Sequence, residues 1–331
     1  MREALLDVRD LTIAFPHVAP VRDLSFTVRP GETVSIVGES GSGKSLTALA
    51  LMRLLPRSAR IASGHIGFAG KNLAALDEVA MRKVRGREIA MIFQEPMTSL
   101  NPVLTVGAQI MEVLRLHEGL SRAAARARAI ALLDRVRVAD PHRRVDDYPH
   151  RLSGGMRQRV MIAIAIACGP RLLIADEPTT ALDVTIQAPV LDLLDGLRRD
   201  FAMGLILITH DLGVVGQWAD RVVVMYAGRK AEEAAPHDLL ANPRHPYTAG
   251  LLGASPRVAG GLNYRDGPLR EIPGNITSAA GEAGCPFAPR CAHAIAACRM
   301  PPPPAFVALR HGHGVACPVL NPVEVAVAGG H

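Results

Sequence analysis

The chain has 331 residues, of which 49% are hydrophobic, and this is enough apolar material for a folded protein of about two domains. Its formal net charge of +6 at pH 7 is scattered along the chain, so the composition argues against a dedicated nucleic-acid-binding protein. The longest apolar run, Val160 to Cys168, is only half of the roughly 18 to 20 residues that a membrane-crossing helix needs. The first residues lack the apolar core of a signal peptide, so we expect a cytosolic protein with reduced thiols.

Short β-branched runs alternate with longer helical patterns through about the first 230 residues of the chain. This alternation predicts an α/β fold with a mostly parallel sheet and crossover helices. The clearest predicted strands are Thr33–Val37, Ile89–Phe93, Leu172–Ala175, Leu205–Ile208 and Arg221–Tyr226.

A helical insert is predicted within this α/β domain, because the strand pattern disappears between Met97 and Leu152. Apolar spacing and the Ala, Leu and Arg content predict helices over Val106–Leu116 and Ala123–Arg137. We therefore expect a helical subdomain over about residues 97–155.

A glycine-rich loop, Gly38-Glu-Ser-Gly-Ser-Gly-Lys-Ser45, follows the first predicted strand and precedes a helical run from Leu46 to Leu55. This is the spacing of a P-loop, in which backbone amides face phosphate groups at a helix N-terminus. In such a loop Lys44 reaches the β- and γ-phosphates and the Ser45 hydroxyl binds Mg²⁺. The expected nucleotide contacts are Gly38, Ser40, Gly41, Gly43, Lys44, Ser45 and Leu46.

Two carboxylates, Asp176 and Glu177, stand at the end of an apolar strand. Because side chains alternate in direction along a strand, the two carboxylates cannot do the same job. We expect Asp176 to hold Mg²⁺ and Glu177 to polarise the attacking water of a phosphoryl transfer. A solvated acidic pair or a helix cap is the alternative when no P-loop is present.

The composition shifts to Pro, Gly, His and Cys from about Asn242, which predicts an α/β domain over residues 1–241 and a C-terminal extension over residues 242–331. Four cysteines of this extension leave five, six and eighteen residues between them: Cys285, Cys291, Cys298 and Cys317. Such gaps are looser than those of ordinary zinc ribbons, whereas four thiolates match one [4Fe–4S] cluster. Zinc remains an alternative, with histidines as extra ligands, and so do plain reduced thiols; these histidines are His293, His311 and His313.

The segment Arg151-Leu-Ser-Gly-Gly-Met-Arg-Gln-Arg159 lies shortly before the Asp-Glu strand and resembles the signature motif of ABC-transporter ATPases. The order of P-loop, signature and Asp-Glu strand is similar to that family, which implies a P-loop NTPase fold of the ABC type. The segment departs from the commoner signature at Met156, where Gln is usual. The resemblance implies that Ser153, Gly154 and Gly155 close on the γ-phosphate held by a partner subunit, so that two such domains act head to tail.

Further site residues follow from this resemblance. It implies that Gln94 is the Q-loop glutamine, which contacts the metal and takes part in coupling, and that Ala181-Leu-Asp183 is the D-loop. It also implies that His210 is the switch histidine, which senses the γ-phosphate. The implied catalytic residues are therefore Lys44, Glu177 and His210. Phe15 matches the aromatic residue that stacks on adenine, although a lone Phe at a strand end is also typical of core packing.

Three longer segments, Met91–Pro102, Ala175–Gln187 and Asn242–Thr248, look like the ATPase subunits of bacterial dipeptide and oligopeptide importers. This group includes nickel and glutathione relatives, and the resemblance covers nearly the whole chain. It implies an ATP- and Mg²⁺-dependent energy-coupling subunit on the cytoplasmic face of the cell membrane. The implied partners are a second, homologous ATPase subunit, two membrane permeases and an extracytoplasmic peptide-binding protein.

The same resemblance implies that the four clustered cysteines bind a [4Fe–4S] cluster. Met97, Leu100 and Pro102 are candidate contacts for a permease, and packing within their own domain is the alternative. A soluble ABC ATPase without a membrane partner and a metal-regulated scaffold are competing classes. The single P-loop and the lack of sustained heptad repeats argue against the soluble ATPase. The presence of Lys44, Glu177 and His210 argues against the scaffold.

Overall fold

The structure is a computed structural model that describes residues 3–94, 99–180, 184–255, 271–279, 282–309 and 312–319. Within these ranges no helix has the length and apolar character that crossing a bilayer would require. The strands in chain order are β1 (Leu6–Ala14), β2 (Val21–Val28), β3 (Thr33–Val37), β4 (Arg60–Phe68), β5 (Lys71–Asn72), β6 (Ile89–Ile92), β7 (Leu172–Asp176), β8 (Gly204–Thr209), β9 (Arg221–Tyr226), β10 (Arg229–Ala234), β11 (Val307–Ala308) and β12 (Gly314–Val315). The helices are α1 (Lys44–Leu51), α2 (Glu78–Val84), α3 (Val106–Glu118), α4 (Arg122–Arg135), α5 (Pro141–Arg144), α6 (Gly154–Ala165), α7 (Val184–Phe201), α8 (Leu212–Trp218), α9 (Pro236–Ala241) and α10 (Pro246–Ala254).

All five predicted strands are present, and β3 and β9 have the predicted bounds. β7 continues one residue further than predicted, to Asp176, and β6 ends at Ile92, one residue before Phe93. The helix after the P-loop is shorter than predicted, because it ends at Leu51 and Arg53 adopts a left-handed conformation with φ of 50°.

The chain divides into two compact units, each assembled from separate segments. The first unit comprises Met1–Leu5, Val28–Glu32 and Phe68–Ile208, and the second comprises Leu6–Thr27, Thr33–Gly67 and Thr209–His331. The predicted division into residues 1–241 and 242–331 follows composition instead and stays a prediction.

A parallel arrangement of β6, β7 and β8 forms the centre of the first unit. Ile89 pairs with Leu172, and Leu172 pairs with Gly204 on its other side. Every residue of β7 is buried, as expected of a strand that helices cover on both faces. This part of the sheet confirms the predicted parallel strands.

Helices replace strands over the stretch where the strand pattern disappears, because α3, α4 and α5 lie there, and the bounds of about 97–155 stay a prediction. Thr105 and Ser121 are the N-cap residues of α3 and α4. Their hydroxyls accept hydrogen bonds from backbone amides of the first turn. The two helices lie against each other, and their buried apolar side chains include Ile110, Leu114 and Leu133.

The second unit departs from the mostly parallel arrangement that the sequence predicts. β3 and β9 are parallel, but β9, β10, β12 and β11 follow one another in antiparallel pairs. The β9–β10 hairpin turns through Ala227 and Gly228, which both have positive φ, of 45° and 81°. Two such residues between paired strands define a tight turn whose twist suits a hairpin. A separate sheet of β2, β1 and β4 also lies in this unit.

The C-terminal extension shares one hydrophobic core with β9. The rings of Tyr226, Tyr247 and Phe287 pack together with centroid separations of 4.6 to 5.4 Å. Cys285 and Cys298 belong to the same cluster of buried side chains. The extension is therefore anchored by apolar and aromatic packing of the kind that stabilises domain cores.

Two helical glycines of the first unit provide a matched stability test. A Cβ at Gly107 would lie 2.4 Å from Val145 Cγ2 and 2.6 Å from the Val145 carbonyl oxygen, whereas a Cβ at Gly196 would meet open space. Gly107→Ala should therefore lower the free energy of unfolding by about 1 to 3 kcal/mol. Gly196→Ala should raise it by about 0.5 to 1 kcal/mol, because alanine loses less backbone entropy in a helix. Urea unfolding of both variants measures the difference, and equal effects would contradict the close packing at Gly107.

Candidate functional site

The P-loop connects β3 to α1, as the sequence predicts. Gly43, with φ of 98°, precedes the helix, and a Cβ there would come within 2.9 Å of the Pro20 carbonyl oxygen. A Cβ on Gly38 would lie only 2.2 Å from the carbonyl oxygen of Met225. These two positions therefore require glycine, and Ser40 and Gly41 lie exposed between them.

Lys44 is the first residue of α1 and is buried. Its Nζ donates hydrogen bonds to the carbonyl oxygens of Gly38 at 2.7 Å and Glu39 at 2.9 Å. Ser45 and Leu46 follow in the first turn of the helix and are half-buried. A lysine ammonium and a helix N-terminus at one loop form an anion-binding site, and the arrangement suits a phosphate group.

The strand-end acids lie where the sequence places them. Asp176 is the last residue of β7 and is buried, and Glu177 follows in a left-handed conformation with φ of 46°. Glu177 Oε2 accepts hydrogen bonds from Gln94 Nε2 at 3.0 Å and from Thr180 Oγ1 at 2.8 Å. The backbone amide of Glu177 donates to the carbonyl oxygen of Ile208 at 3.0 Å.

These contacts hold one carboxylate oxygen of Glu177 between two donors. The structure thus brings Gln94 and Glu177 together, although they are 83 residues apart in the chain. Sequence reasoning missed Thr180, because nothing in the local pattern distinguishes a threonine three residues after the glutamate. A fixed carboxylate of this kind can accept a proton from a water molecule that is placed beside it.

The signature residues stand at the start of α6. The hydroxyl of Ser153 accepts a hydrogen bond from the amide of Met156 at 3.3 Å and caps the helix. Ser153 and Gly154 are exposed, and no atom lies within 4 Å of a Cβ built on Gly154. This helix end is therefore open to an approaching group, with its amide dipoles directed outward.

The remaining predicted residues lie at strand ends or outside the described ranges. Phe15 follows β1 and is half-buried, and His210 follows β8 and is exposed. Met97 and the Ala181–Asp183 segment lie outside the residues that the structure describes. Of the candidate permease contacts, Leu100 is buried, which favours packing within its own domain, and Pro102 is exposed.

The four clustered cysteines all lie in the second unit, where Cys285, Cys298 and Cys317 are buried and Cys291 is half-buried. The backbone amide of Cys285 donates to the carbonyl oxygen of Cys298 at 2.7 Å. Burial, together with the neighbouring thiols, raises the pKa of Cys285 to about 11, and burial also raises the pKa of Cys291. These two thiols therefore stay protonated at neutral pH unless a metal displaces the proton. Cys168, by contrast, is half-buried in the first unit.

In the described ranges no group of three or more His, Cys, Asp or Glu side chains is arranged to hold a metal ion. His313 Nε2 donates to Glu232 Oε1 at 2.6 Å, and His293 is exposed. His311 lies outside the ranges that the structure covers. The histidines that the zinc alternative would need are therefore engaged elsewhere, exposed or not described.

A parallel α/β sheet, a glycine loop that leads into a helix, a buried lysine and a strand-end acid pair define a P-loop nucleotide-binding protein. Family models agree with this class. The model described as "ABC transporter" matches residues 21–180, and the one described as "Oligopeptide/dipeptide transporter, C-terminal region" matches residues 231–298.

Relatives and solved structures extend the match. A protein of Brucella melitensis biotype 1, whose name assigns it provisionally to ATP binding in peptide import, is 51% identical over 329 residues, covering 96% of this chain and 97% of the relative. A Brucella abortus relative with the same kind of name is 50% identical, covering 98% of this chain and 97% of the relative. A dimeric ATP-binding cassette in a post-hydrolysis state, bound to ADP and phosphate, is 26% identical with a TM-score of 0.62, covering 70% of this chain and 98% of that one. The cbiO1 protein of Clostridium perfringens is 25% identical with a TM-score of 0.64, covering 73% of this chain and 92% of that one.

The chain therefore belongs to the ABC transporter family, as an ATP-binding ATPase.

Proposed function

We propose that this ATPase is the energy-coupling subunit of an importer of dipeptides or oligopeptides. The observation that carries the proposal is the match of residues 231–298 to the C-terminal region of oligopeptide and dipeptide transporters. Relatives that are about half identical over nearly the whole chain are named for peptide import, which favours peptides over nickel or glutathione as cargo.

The proposed chemistry assigns separate tasks to the residues of the site. Lys44 and the P-loop amides bind the triphosphate, with Phe15 against adenine, and Ser45 binds Mg²⁺. Asp176 and Gln94 complete the metal environment. Glu177 orients and deprotonates the attacking water, and His210 contacts the γ-phosphate. Hydrolysis by these residues depends on positioning and charge neutralisation. Side chains that burial and hydrogen bonds hold in place, such as Lys44 and Glu177, suit that task.

The open end of α6 supports a dimer in which Ser153, Gly154 and Gly155 face the nucleotide of a second cassette. A solved dimeric cassette with ADP and phosphate is among the structural neighbours, which supports a dimer. We propose that the partner is a homologous ATPase subunit. The pair would act with two permeases and an extracytoplasmic peptide-binding protein, on the cytoplasmic face of the inner membrane.

Reconstitution tests this proposal. The chain should co-purify with its permeases, and proteoliposomes that contain them should take up labelled peptide only with ATP and the binding protein. Uptake of nickel or glutathione instead of peptide would overturn the cargo assignment. ATP hydrolysis without any permease association would favour a soluble, non-transport ABC ATPase.

We also propose that the four cysteines of the extension bind a [4Fe–4S] cluster. The donor set suits this group, since four soft thiols lie within one short part of the chain and share a mostly buried environment. Each ligand of such a cluster binds a different iron, so the ligands stand further apart than around a single ion.

Metal analysis after anaerobic purification tests the cluster. The chain should contain about four irons and four sulfides with the corresponding visible absorption, and Cys291→Ser should lose them. Cys168→Ser provides the control, because this cysteine lies in the other unit, and its iron and sulfide content should equal that of the unmodified chain. One zinc per chain, or no metal under strictly anaerobic handling, would contradict the assignment.

A further inference from the structure

Glu39 occupies a P-loop position at which the motif allows any residue, and the C-terminal extension holds it on two sides. The backbone amide of Glu39 donates to the hydroxyl oxygen of Tyr247 at 2.8 Å. The guanidinium of Arg290 donates to both carboxylate oxygens, from Nη1 to Oε2 at 2.7 Å and from Nη2 to Oε1 at 3.0 Å. All three residues belong to the second unit.

Arg290 is held firmly in this position. Its side chain is only 4% exposed, and Nε donates to the Pro273 carbonyl oxygen at 2.7 Å. Nη1 also reaches the Tyr226 hydroxyl at 3.3 Å, and the guanidinium lies 5.9 Å from the ring centroid of Phe287. The hydrogen bonds to Glu39 raise the pKa of Arg290 above its ordinary value, so the guanidinium is always charged. A planar, bidentate pair of this kind is among the stronger side-chain contacts in proteins.

The pair has an electrostatic consequence for the loop. A carboxylate in a phosphate-binding loop repels the anion that the loop binds, and a bidentate guanidinium removes most of that repulsion. The same residue also orients the lysine of the loop, because the Glu39 carbonyl oxygen accepts a hydrogen bond from Lys44 Nζ at 2.9 Å. Displacement of Glu39 would therefore disturb both the charge and the geometry of the loop.

Arg290 also connects the loop with the cysteine region. It lies one residue before Cys291 and five after Cys285, in a one-turn 3₁₀ helix over Ala288–Arg290. The segment before it lies close to the loop as well, since a Cβ built on Gly41 would come to 3.5 Å from Ile276 Cγ2. The cysteine region thus meets the P-loop through the charged pair of Arg290 and Glu39.

We propose that Arg290 is a positioning residue for nucleotide binding, and that the Glu39–Arg290 pair couples the cysteine region of the extension to the P-loop. The inference rests on the proposed function only in requiring that the P-loop bind nucleotide. Coupling between two sites is reciprocal, so nucleotide binding stabilises the cysteine region as much as an ordered cysteine region strengthens nucleotide binding.

A double-mutant cycle on the full chain tests the charge effect. Dissociation constants for Mg²⁺-ADP are measured for Arg290→Gln, Glu39→Gln and the double variant. Arg290→Gln should weaken binding about tenfold, because it leaves the loop carboxylate unpaired. Glu39→Gln should weaken it about threefold at most, and the double variant should resemble Glu39→Gln, because neither of them leaves an unpaired carboxylate in the loop.

Two further variants complete the cycle. Arg290→Lys should show a partial loss, since lysine keeps the charge but not the bidentate contact. Arg299→Gln, an exposed residue beside Cys298, makes the same charge change and should leave the dissociation constant unchanged. If Arg290→Gln weakened Mg²⁺-ADP binding equally in the unmodified chain and in Glu39→Gln, Arg290 would only anchor the extension. A change in the dissociation constant below twofold in Arg290→Gln would overturn the proposal.

Hydrogen exchange provides a second readout, which a purely structural anchor would not alter. Mg²⁺-ADP should slow amide exchange over residues 282–300 in the unmodified chain, and Glu39→Gln should reduce that protection several-fold. Undiminished protection in Glu39→Gln would contradict the coupling. Failure of the unmodified chain to bind ADP would contradict the proposed function instead, so the two failures are distinguishable.

Discussion

Glu177→Gln is expected to slow ATP hydrolysis by about 10²- to 10⁴-fold while leaving ATP binding intact. The amide has nearly the same size as the carboxylate, and its carbonyl oxygen can still accept the hydrogen bonds that Gln94 and Thr180 now donate. It cannot accept a proton from water, so the chemical step alone should suffer. Phosphate release in the steady state and equilibrium binding of ATP measure the two quantities separately.

Glu112→Gln is the matched control for this experiment, because it makes the same chemical change on an exposed position of α3. Its hydrolysis rate should equal that of the unmodified chain. Hydrolysis at an unchanged rate in Glu177→Gln would remove Glu177 from the role of water-activating base. A parallel loss of ATP binding would show that the side chain serves the loop geometry rather than the reaction.

Lys44→Ala should weaken ATP binding about a hundredfold or more. The buried ammonium now donates to two loop carbonyl oxygens, and the proposed phosphate contacts are charge-assisted hydrogen bonds worth about 1.5 to 3 kcal/mol each. Removal of the ammonium also takes away the positive charge that compensates the phosphates. Titration with ATP, and with adenosine as a ligand that carries no phosphate, measures the effect, and adenosine binding should change much less.

Lys71→Ala provides the comparison for Lys44→Ala. Lys71 is exposed and pairs with Glu88 at 3.2 Å, and such exposed ion pairs contribute little. Its ATP affinity should therefore match that of the unmodified chain. If Lys44→Ala kept full ATP affinity, the P-loop assignment itself would be wrong.

The P-loop and the acid pair could be predicted from the sequence because each combines a local motif with a fully buried strand. β3 and β7 are short, fully buried strands of mostly apolar residues, and their ends fix where Gly38 and Asp176 lie. The order of motifs assigned Gln94 and Glu177 to one site. Their hydrogen bond could be seen only in the folded structure, because the two residues are 83 positions apart. Thr180 could not be assigned a role, since a threonine after an acid pair has no distinctive pattern.

The antiparallel part of the second unit was much harder to predict. β10 has the sequence Arg-Lys-Ala-Glu-Glu-Ala, which is typical of an exposed helix rather than of a strand. Strand formation depends here on partners that are distant in the chain, since Glu232 pairs with Val315 of β12. The Glu39–Arg290 pair spans 251 residues, so no local pattern could indicate it.

Glu232 also determines where the chain can be shortened. Its side chain is completely buried, and it accepts hydrogen bonds from the Arg244 amide at 2.7 Å, the His245 amide at 2.9 Å and His313 at 2.6 Å. The family match ends at residue 298, so a fragment that stopped there would lack His313 and the two strands β12 and β11 that continue the sheet beyond β10. Such a fragment would uncover a buried carboxylate and expose the unpaired edge of β10, which invites aggregation. Fragments for expression and crystallisation should therefore extend beyond residue 315, past the end that the family match suggests.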